Sequence, residues 1–213
     1  MADTLIQWAE KVWNPTRGCT KVSEGCKFCY AMKEAYRFSG HGMPYEGLVK
    51  KDAAGNAQWT NKLMIVEDKF DEPLHWKKPL KIFVNSMSDL FHEQMTFEAT
   101  VMIFDTMLKA DWHIYQILTK RPDRMKTFVA KYLLLRSLGS IPKHIWMGVS
   151  VENQESGRRA FILHNIRAER RWISCEPLVG FVPLHLLLQQ EEENLVIDEN
   201  YMDLEPKTFN VRP

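Results

Sequence analysis

Short apolar runs rich in β-formers recur along the chain. They lie at residues 64–66 (Met-Ile-Val), 81–84 (Lys-Ile-Phe-Val), 113–118 (His-Ile-Tyr-Gln-Ile-Leu), 145–149 (Ile-Trp-Met-Gly-Val) and 171–174 (Arg-Trp-Ile-Ser). Near-continuous apolarity over so short a length suits strands buried on both faces, as in parallel sheets. Between these runs the period changes to that of a helix. Residues 96–110 place Phe97, Val101, Phe104 and Leu108 on one face, behind Thr96 as N-cap. Residues 122–136 open on Pro122 in the first turn and point Met125, Phe128, Val129, Tyr132 and Leu133 inward. Residues 153–167 open on Asn153 as a cap and bury Phe161, Ile162 and Ile166, and a further helix covers roughly 27–38. Alternating strands and helices predict βα units and a parallel sheet with right-handed crossovers. The candidates are an open doubly wound sheet and a full or partial barrel. A full eight-unit barrel takes about 250 residues, so a chain of 213 favours an incomplete one.

Composition narrows the class. With 45% hydrophobic residues the chain has enough apolar surface to offset the entropy of ordering, which excludes disorder. Lys and Arg number 28 against 27 Asp and Glu. That balance argues against a polyanion binder working by bulk charge, and leaves room for a local basic stripe. No apolar run reaches the length of a membrane-spanning helix. Met1-Ala2-Asp3-Thr4 has neither a basic stretch nor an apolar stretch of the kind that directs secretion. A cytoplasmic location is expected.

The cysteines carry the strongest chemical signal. Cys19, Cys26 and Cys29 fall within eleven residues, in the pattern C-x6-C-x2-C, and Cys175 stands far away. A secreted disulfide framework has more cysteines on a shorter chain, so the cluster points to a metal in a reducing compartment. Structural zinc is tetrahedral and asks for four protein ligands; a four-iron cluster also has four corners. Three local thiolates leave one corner for an exogenous molecule. Gly18 and Gly25 each precede a cysteine, and the aromatic rings of Phe28 and Tyr30 border the site. The alternative is a zinc ribbon half, completed by Cys175 or a histidine, in a non-catalytic module that binds nucleic acid or protein. Cys175 itself reads as a small core residue at a strand end.

Each strand-like run ends in a polar cluster: Asn85-Ser86-Met87-Ser88-Asp89, Thr119-Lys120-Arg121, Ser150-Val151-Glu152-Asn153 and Ser174-Cys175-Glu176-Pro177. In parallel α/β folds the strand C-terminal ends converge on one mouth, where ligands bind. Ser86, Asp89, Lys120, Arg121, Glu152 and Glu176 are therefore candidates for holding a cofactor or substrate. Asn153 reads as a helix cap. Lys120 and Arg121 do not, because cations are unwelcome at a helix N-terminus; they suit a carboxylate or phosphate. His92 beside Glu93 reads as structural, and Arg167, Arg170 and Arg171 as a solvated face. There is no phosphate-binding glycine loop, no dinucleotide fingerprint and no serine nucleophile elbow.

The stretch Trp13-Asn14-Pro15-Thr16-Arg17-Gly18-Cys19, followed by Gly25-Cys26-Lys27-Phe28-Cys29-Tyr30, resembles the three-Cys-motif phage protein family, itself of uncharacterised function and similar to radical S-adenosylmethionine enzymes. Asn85-Ser86-Met87-Ser88-Asp89-Leu90-Phe91, Leu118-Thr119-Lys120-Arg121-Pro122, Trp146 to Asn153 and Ser174-Cys175-Glu176-Pro177-Leu178 resemble its other motifs. The resemblance implies a [4Fe-4S] cluster on Cys19, Cys26 and Cys29, with S-adenosylmethionine chelating the vacant iron and Phe28 near the adenine. It implies a radical enzyme acting on an unknown substrate, with nucleic acid or a modified nucleoside suggested by the phage context. The Gly-Gly-Glu that radical S-adenosylmethionine enzymes usually place after an early strand to grip the methionine amino group is missing, and Ser86, Ser88 or Asp89 would replace it. Family members also continue past Glu-Pro-Leu with another apolar strand and a Gly-Gly-Glu-Ser-Gly-like stretch. Here the chain runs instead through Gln189-Gln190-Glu191-Glu192-Glu193. The expected fold is thus a parallel-stranded partial (β/α)6-like barrel over residues 1–182, truncated at an open edge, with a divergent tail over 183–213.

Overall fold

The computed structural model of the protein describes residues 6–182 and the backbone of residues 195–197. Among these, six strands form one sheet: β1 (Lys11–Trp13), β6 (Lys81–Val84), β7 (Ile114–Thr119), β8 (Ile145–Ser150), β9 (Arg171–Ser174) and β10 (Leu195–Ile197). Every neighbouring pair is parallel. Their order across the sheet is their order along the chain. A doubly wound sheet reverses order at a switch point; this one does not. With right-handed crossovers, a strictly sequential order puts the connecting helices on one side.

Register shows that side. Ile82, Tyr115, Ile145 and Val84, Ile117, Met147 align across three strands and therefore share a face. They join one core with Phe104 and Met107 of α2 (Phe97–Lys109), Met125, Phe128 and Tyr132 of α3 (Pro122–Arg136), and Leu163 of α4 (Arg158–His164). The opposite face is aromatic. Trp8 packs edge-on against Phe83 and Trp172, at centroid distances of 4.6 and 5.0 Å. Trp172 reaches over β8 to donate its Nε1–H to the Ile117 carbonyl at 3.1 Å.

The expected helices at 96–110 and 122–136 form as read. The Thr96 hydroxyl accepts from the Ala99 amide at 3.1 Å, and all five inward residues of α3 are buried. Four expectations change. Residues 64–66 do not enter the main sheet; β5 (Met64–Ile65) pairs antiparallel with β2 (Thr16–Arg17). The segment expected as one helix over 153–167 is a 3-10 turn, Glu155–Gly157, followed by the short α4. Asn153 does cap that turn through the Ser156 amide at 2.9 Å, but Phe161 is exposed and Arg159 is buried in its stead. The helix expected over 27–38 begins only at Tyr30, as α1 (Tyr30–Arg37) behind a 3-10 turn at Glu24–Phe28. The edge beside β9, expected to be open, carries β10. The polar run 189–193 lies outside the described residues.

A second, smaller core sits beside the sheet. Ala31, Met32 and Ala35 of α1 pack on Val49 and Trp59 of an antiparallel hairpin, β3 (Val49–Lys51) and β4 (Ala57–Trp59), with Cys19, Cys29 and Met87 half-buried against them. Among the described residues no helix is long and apolar enough to cross a membrane.

Candidate functional site

The three-cysteine loop is tied to the C-terminal ends of three successive strands. At the end of β6, Gly18 bridges Ser88 and donates its amide to the Met87 carbonyl at 3.3 Å. Thr16 and Ser88 join hydroxyls at 2.7 Å. At the end of β7, Arg121 donates from Nη2 to the Thr20 carbonyl at 3.0 Å and points Nη1 at Cys19 Sγ, 3.9 Å away. At the end of β8, the Ser23 hydroxyl donates to Glu152 Oε1 at 2.6 Å and lies 3.7 Å from Cys26 Sγ. Gly25 makes this last junction sterically feasible: a Cβ there would stand 2.6 Å from Glu152 Cγ and Oε1, closer than any side chain tolerates.

Two buried carboxylates anchor the arrangement. Glu152 receives Lys120 Nζ, Arg159 Nη1 at 2.9 Å and Ser23. Burial opposes its ionisation, but hydrogen bonds from Lys120 and Ser23 and the charges of Lys120 and Arg159 outweigh burial and hold its pKa below the ordinary value. Asp89 accepts from the Thr119 hydroxyl at 2.7 Å, the Phe91 amide at 2.9 Å and Arg121 Nη1 at 3.0 Å. Arg121 also donates from Nε to Glu93 at 2.8 Å, and this hydrogen bond draws Glu93 down to about 2. Arg121 thus clamps the loop to the sheet through internal partners. Lys120 keeps its side chain 19% exposed beside Glu152.

Burial dominates the thiols of Cys19 and Cys29. Burial first, then Asp89, raises Cys19 to about 12; Cys29 and Cys26 add to the rise, and Arg121 opposes it. Burial also pushes Cys29 up. Among the described residues no three His, Cys, Asp or Glu side chains are grouped closely enough to hold a single metal ion. Cys175 lies in the main core, as its position at the end of β9 suggested.

The remaining candidates rim this mouth. Tyr30 donates its hydroxyl to the Ser86 carbonyl at 3.0 Å, and Ser86 hydrogen-bonds Asn14 at 3.2 Å. Loss of solvation, then the nearby Cys29 and Glu176, push the Tyr30 hydroxyl up to about 12. Glu176 is exposed, on a segment whose Val179 and Gly180 amides fold back onto the Glu152 carbonyl. Phe28 is 67% exposed. His92 takes the structural role: Nδ1 accepts the Gln94 amide at 3.1 Å and Nε2 meets the Thr20 hydroxyl at 2.9 Å. Burial and the Arg121 charge keep its pKa low. Arg171 likewise serves the scaffold, donating to the His164 and Ile166 carbonyls at the end of α4.

Ser23, Asn14, Thr16 and Arg159 are site residues that sequence reasoning passed over. Asn14 and Thr16 stood in the motif that leads to Cys19, Ser23 carried no signal, and Arg159 carried one of its own. It is a cation in the first turn of a helix, the same anomaly that singled out Lys120 and Arg121.

Residues 3–198 match the model of a family described as a protein of unknown function, DUF5131. No curated protein and no solved structure matches the chain. A match over that span carries both the cysteine loop and all six strands of the sheet, and so the chain belongs to the DUF5131 family of proteins of unknown function.

Proposed function

We propose that this protein is an iron–sulfur protein of radical S-adenosylmethionine type, related to the three-Cys-motif phage proteins and acting on a nucleic-acid-related substrate. The observation that carries the reading is the position of Cys19, Cys26 and Cys29, half-buried over the C-terminal ends of a sequential parallel sheet. One-sided helices on such a sheet support a partial (β/α)6-like barrel. The donor set suits the group. Three cysteines on one loop offer soft ligands to three corners of a four-iron cluster. When bound, such a cluster supplies one electron from an external reductant to break a sulfonium C–S bond of S-adenosylmethionine, leaving methionine and a 5′-deoxyadenosyl radical.

The chain's own residues then have defined tasks. Arg121 aims an N–H at Cys19 and fixes its orientation, while Ser23, through its hydrogen bond to Glu152, holds the turn that carries Cys26. Lys120 and Glu176 offer one cation and one anion at the rim for the methionine carboxylate and amino groups. Phe28 and Tyr30 offer ring faces for the adenine. Asp89 and Glu152 hold the loop in register with the sheet from beneath.

The test is anaerobic reconstitution. The expected protein is brown, contains iron and sulfide, bleaches with dithionite, and turns S-adenosylmethionine into 5′-deoxyadenosine. Cys26→Ala loses the iron. Colourless protein with one tightly held zinc overturns the reading in favour of a zinc-stabilised binding module.

A further inference from the structure

The near-neutral charge of the whole chain conceals a local excess. Over residues 17–62, which build the cysteine loop, α1 and the β3–β4 hairpin, Lys and Arg outnumber Asp and Glu by eight to four. Two of those cations are answered: Lys27 pairs with Glu24 at 3.1 Å and Arg37 with Glu34 at 3.1 Å. Arg17, Lys21, Lys33, Lys50, Lys51 and Lys62 make no ion pair among the described residues. Asp52 is engaged by the amides of its own turn, and Glu46 by His41 and the Gly42 amide.

The cations are interleaved with aromatic rings. Lys51 Nζ lies over Tyr36 at 5.1 Å, the Arg37 guanidinium over Phe38 at 6.0 Å, and the Arg17 guanidinium over Tyr45 at 5.6 Å. Tyr36 and Phe38 are 38% and 46% exposed. α1 buries Ala31, Met32 and Ala35, so its outer side presents Tyr30, Lys33, Tyr36 and Arg37. That side starts at the mouth, where the Tyr30 hydroxyl meets Ser86. On the hairpin, Lys51 shares the face of Val49 and Trp59 that meets α1, which sets it beside Tyr36.

We propose that the outer side of α1, with Lys51 of the adjoining hairpin, is a docking strip for single-stranded nucleic acid that leads to the three-cysteine mouth. Unpaired lysines spaced along a surface meet successive phosphates. Rings held by a cation on one face can stack a base on the other, and stacking asks for bases that are not already paired. The strip names the substrate class of the proposed site, and rests on that reading only for the reaction that follows docking. Docking itself needs no metal.

The experiment uses the full-length protein and fluorescence anisotropy of a labelled mixed-sequence DNA strand, its RNA equivalent, and the DNA duplex, over a series of salt concentrations. Both single strands should bind more tightly than the duplex, and the ratio of DNA to RNA affinity identifies which is preferred. Lys33→Gln/Lys51→Gln should flatten the salt dependence by about 0.7 in log–log slope for each lysine that meets a phosphate. Tyr36→Ala/Phe38→Ala should weaken single-strand binding by about tenfold or more per ring while leaving the slope unchanged. Lys78→Gln/Lys109→Gln/Lys143→Gln, whose residues are exposed near the starts of β6, β7 and β8, should change neither. Absence of binding at low salt, preference for the duplex, or equal losses in the test and control variants overturns the proposal. Failure of the cluster reading would show separately, in the iron and sulfide content.

Discussion

Replacing Glu152 by Gln tests whether one buried carboxylate ties the cysteine loop to the sheet. Gln preserves the shape and one acceptor oxygen but removes the charge that Lys120 and Arg159 face, two cations whose side chains are only 19% and 9% exposed. Breaking a buried ion pair from one side costs about 3–5 kcal/mol. The retained amide oxygen recovers one neutral hydrogen bond, about 1 kcal/mol. The expected loss is therefore about 2–4 kcal/mol. At a urea slope of about 2 kcal/mol per molar, the unfolding midpoint at neutral pH drops by about 1–2 M. A second readout is local. Ser23 loses its charged acceptor and releases the turn that carries Cys26, so alkylation of Cys26 in reduced, metal-free protein should accelerate more than alkylation of Cys175 in the core. Lys120→Met combined with Glu152→Gln should be less destabilised than the sum of the single changes, since fewer buried charges then lack a partner. A midpoint shift below about 0.3 M, or a lowered midpoint with an unchanged Cys26 rate, refutes the assignment of Glu152 as the anchor.

Other expectations rest on single contacts. Gly148→Ala would place a Cβ 2.3 Å from Trp172 Nε1 and 2.7 Å from the Ile117 carbonyl. A melting experiment should show at least the roughly 1–3 kcal/mol typical of overpacking, and a near-neutral result would mean that Trp172 does not lie across β8 as described. Ser137 ends α3 in a left-handed conformation, φ 54°, with the Leu138 amide bonded to the Leu133 carbonyl at 2.9 Å; Ser137→Gly should stabilise by roughly 0.5–1 kcal/mol in chemical denaturation, and a loss of stability contradicts that geometry. Glu93→Gln should lower stability at neutral pH through its Arg121 bond. Because the folded carboxyl is depressed to about 2, the contribution is complete above the ordinary carboxylate range and disappears as pH falls through about 2. Acid titration curves of variant and parent should therefore converge only there.

Much of the scaffold was legible because its causes are local. Thr96 and Pro122 mark helix starts, and the spacing of Phe97, Val101 and Phe104 or of Met125, Phe128 and Tyr132 names the buried side, within single segments. The runs at 81–84, 114–119, 145–150 and 171–174 are apolar at consecutive positions because both faces of their sheet are covered. The three clustered cysteines likewise declare soft-ligand chemistry without reference to anything distant.

What the tertiary structure decided are the pairings between residues far apart in the chain. Ser23 and Glu152 are separated by 129 positions, and Arg121 and Cys19 by 102; no periodicity encodes such partners. Lys120 and Arg121 were recognisable as misfits at a helix start, but only the folded sheet supplies Glu152, Asp89 and Glu93 as their anions. Phe161 looked like a core residue on helical spacing, yet α4 turns so that Arg159 reaches the Ser150 carbonyl at 2.7 Å and Glu152. Leaving that buried carboxylate without its cation costs more than exposing one ring. Met64 and Ile65 have strand composition but found Thr16 and Arg17 beside the loop instead of a place in the main sheet. Local sequence sets which backbone conformations are cheap and which faces shun water. Long-range charge and hydrogen-bond complementarity, strong only once water is excluded, selects which of those faces meet.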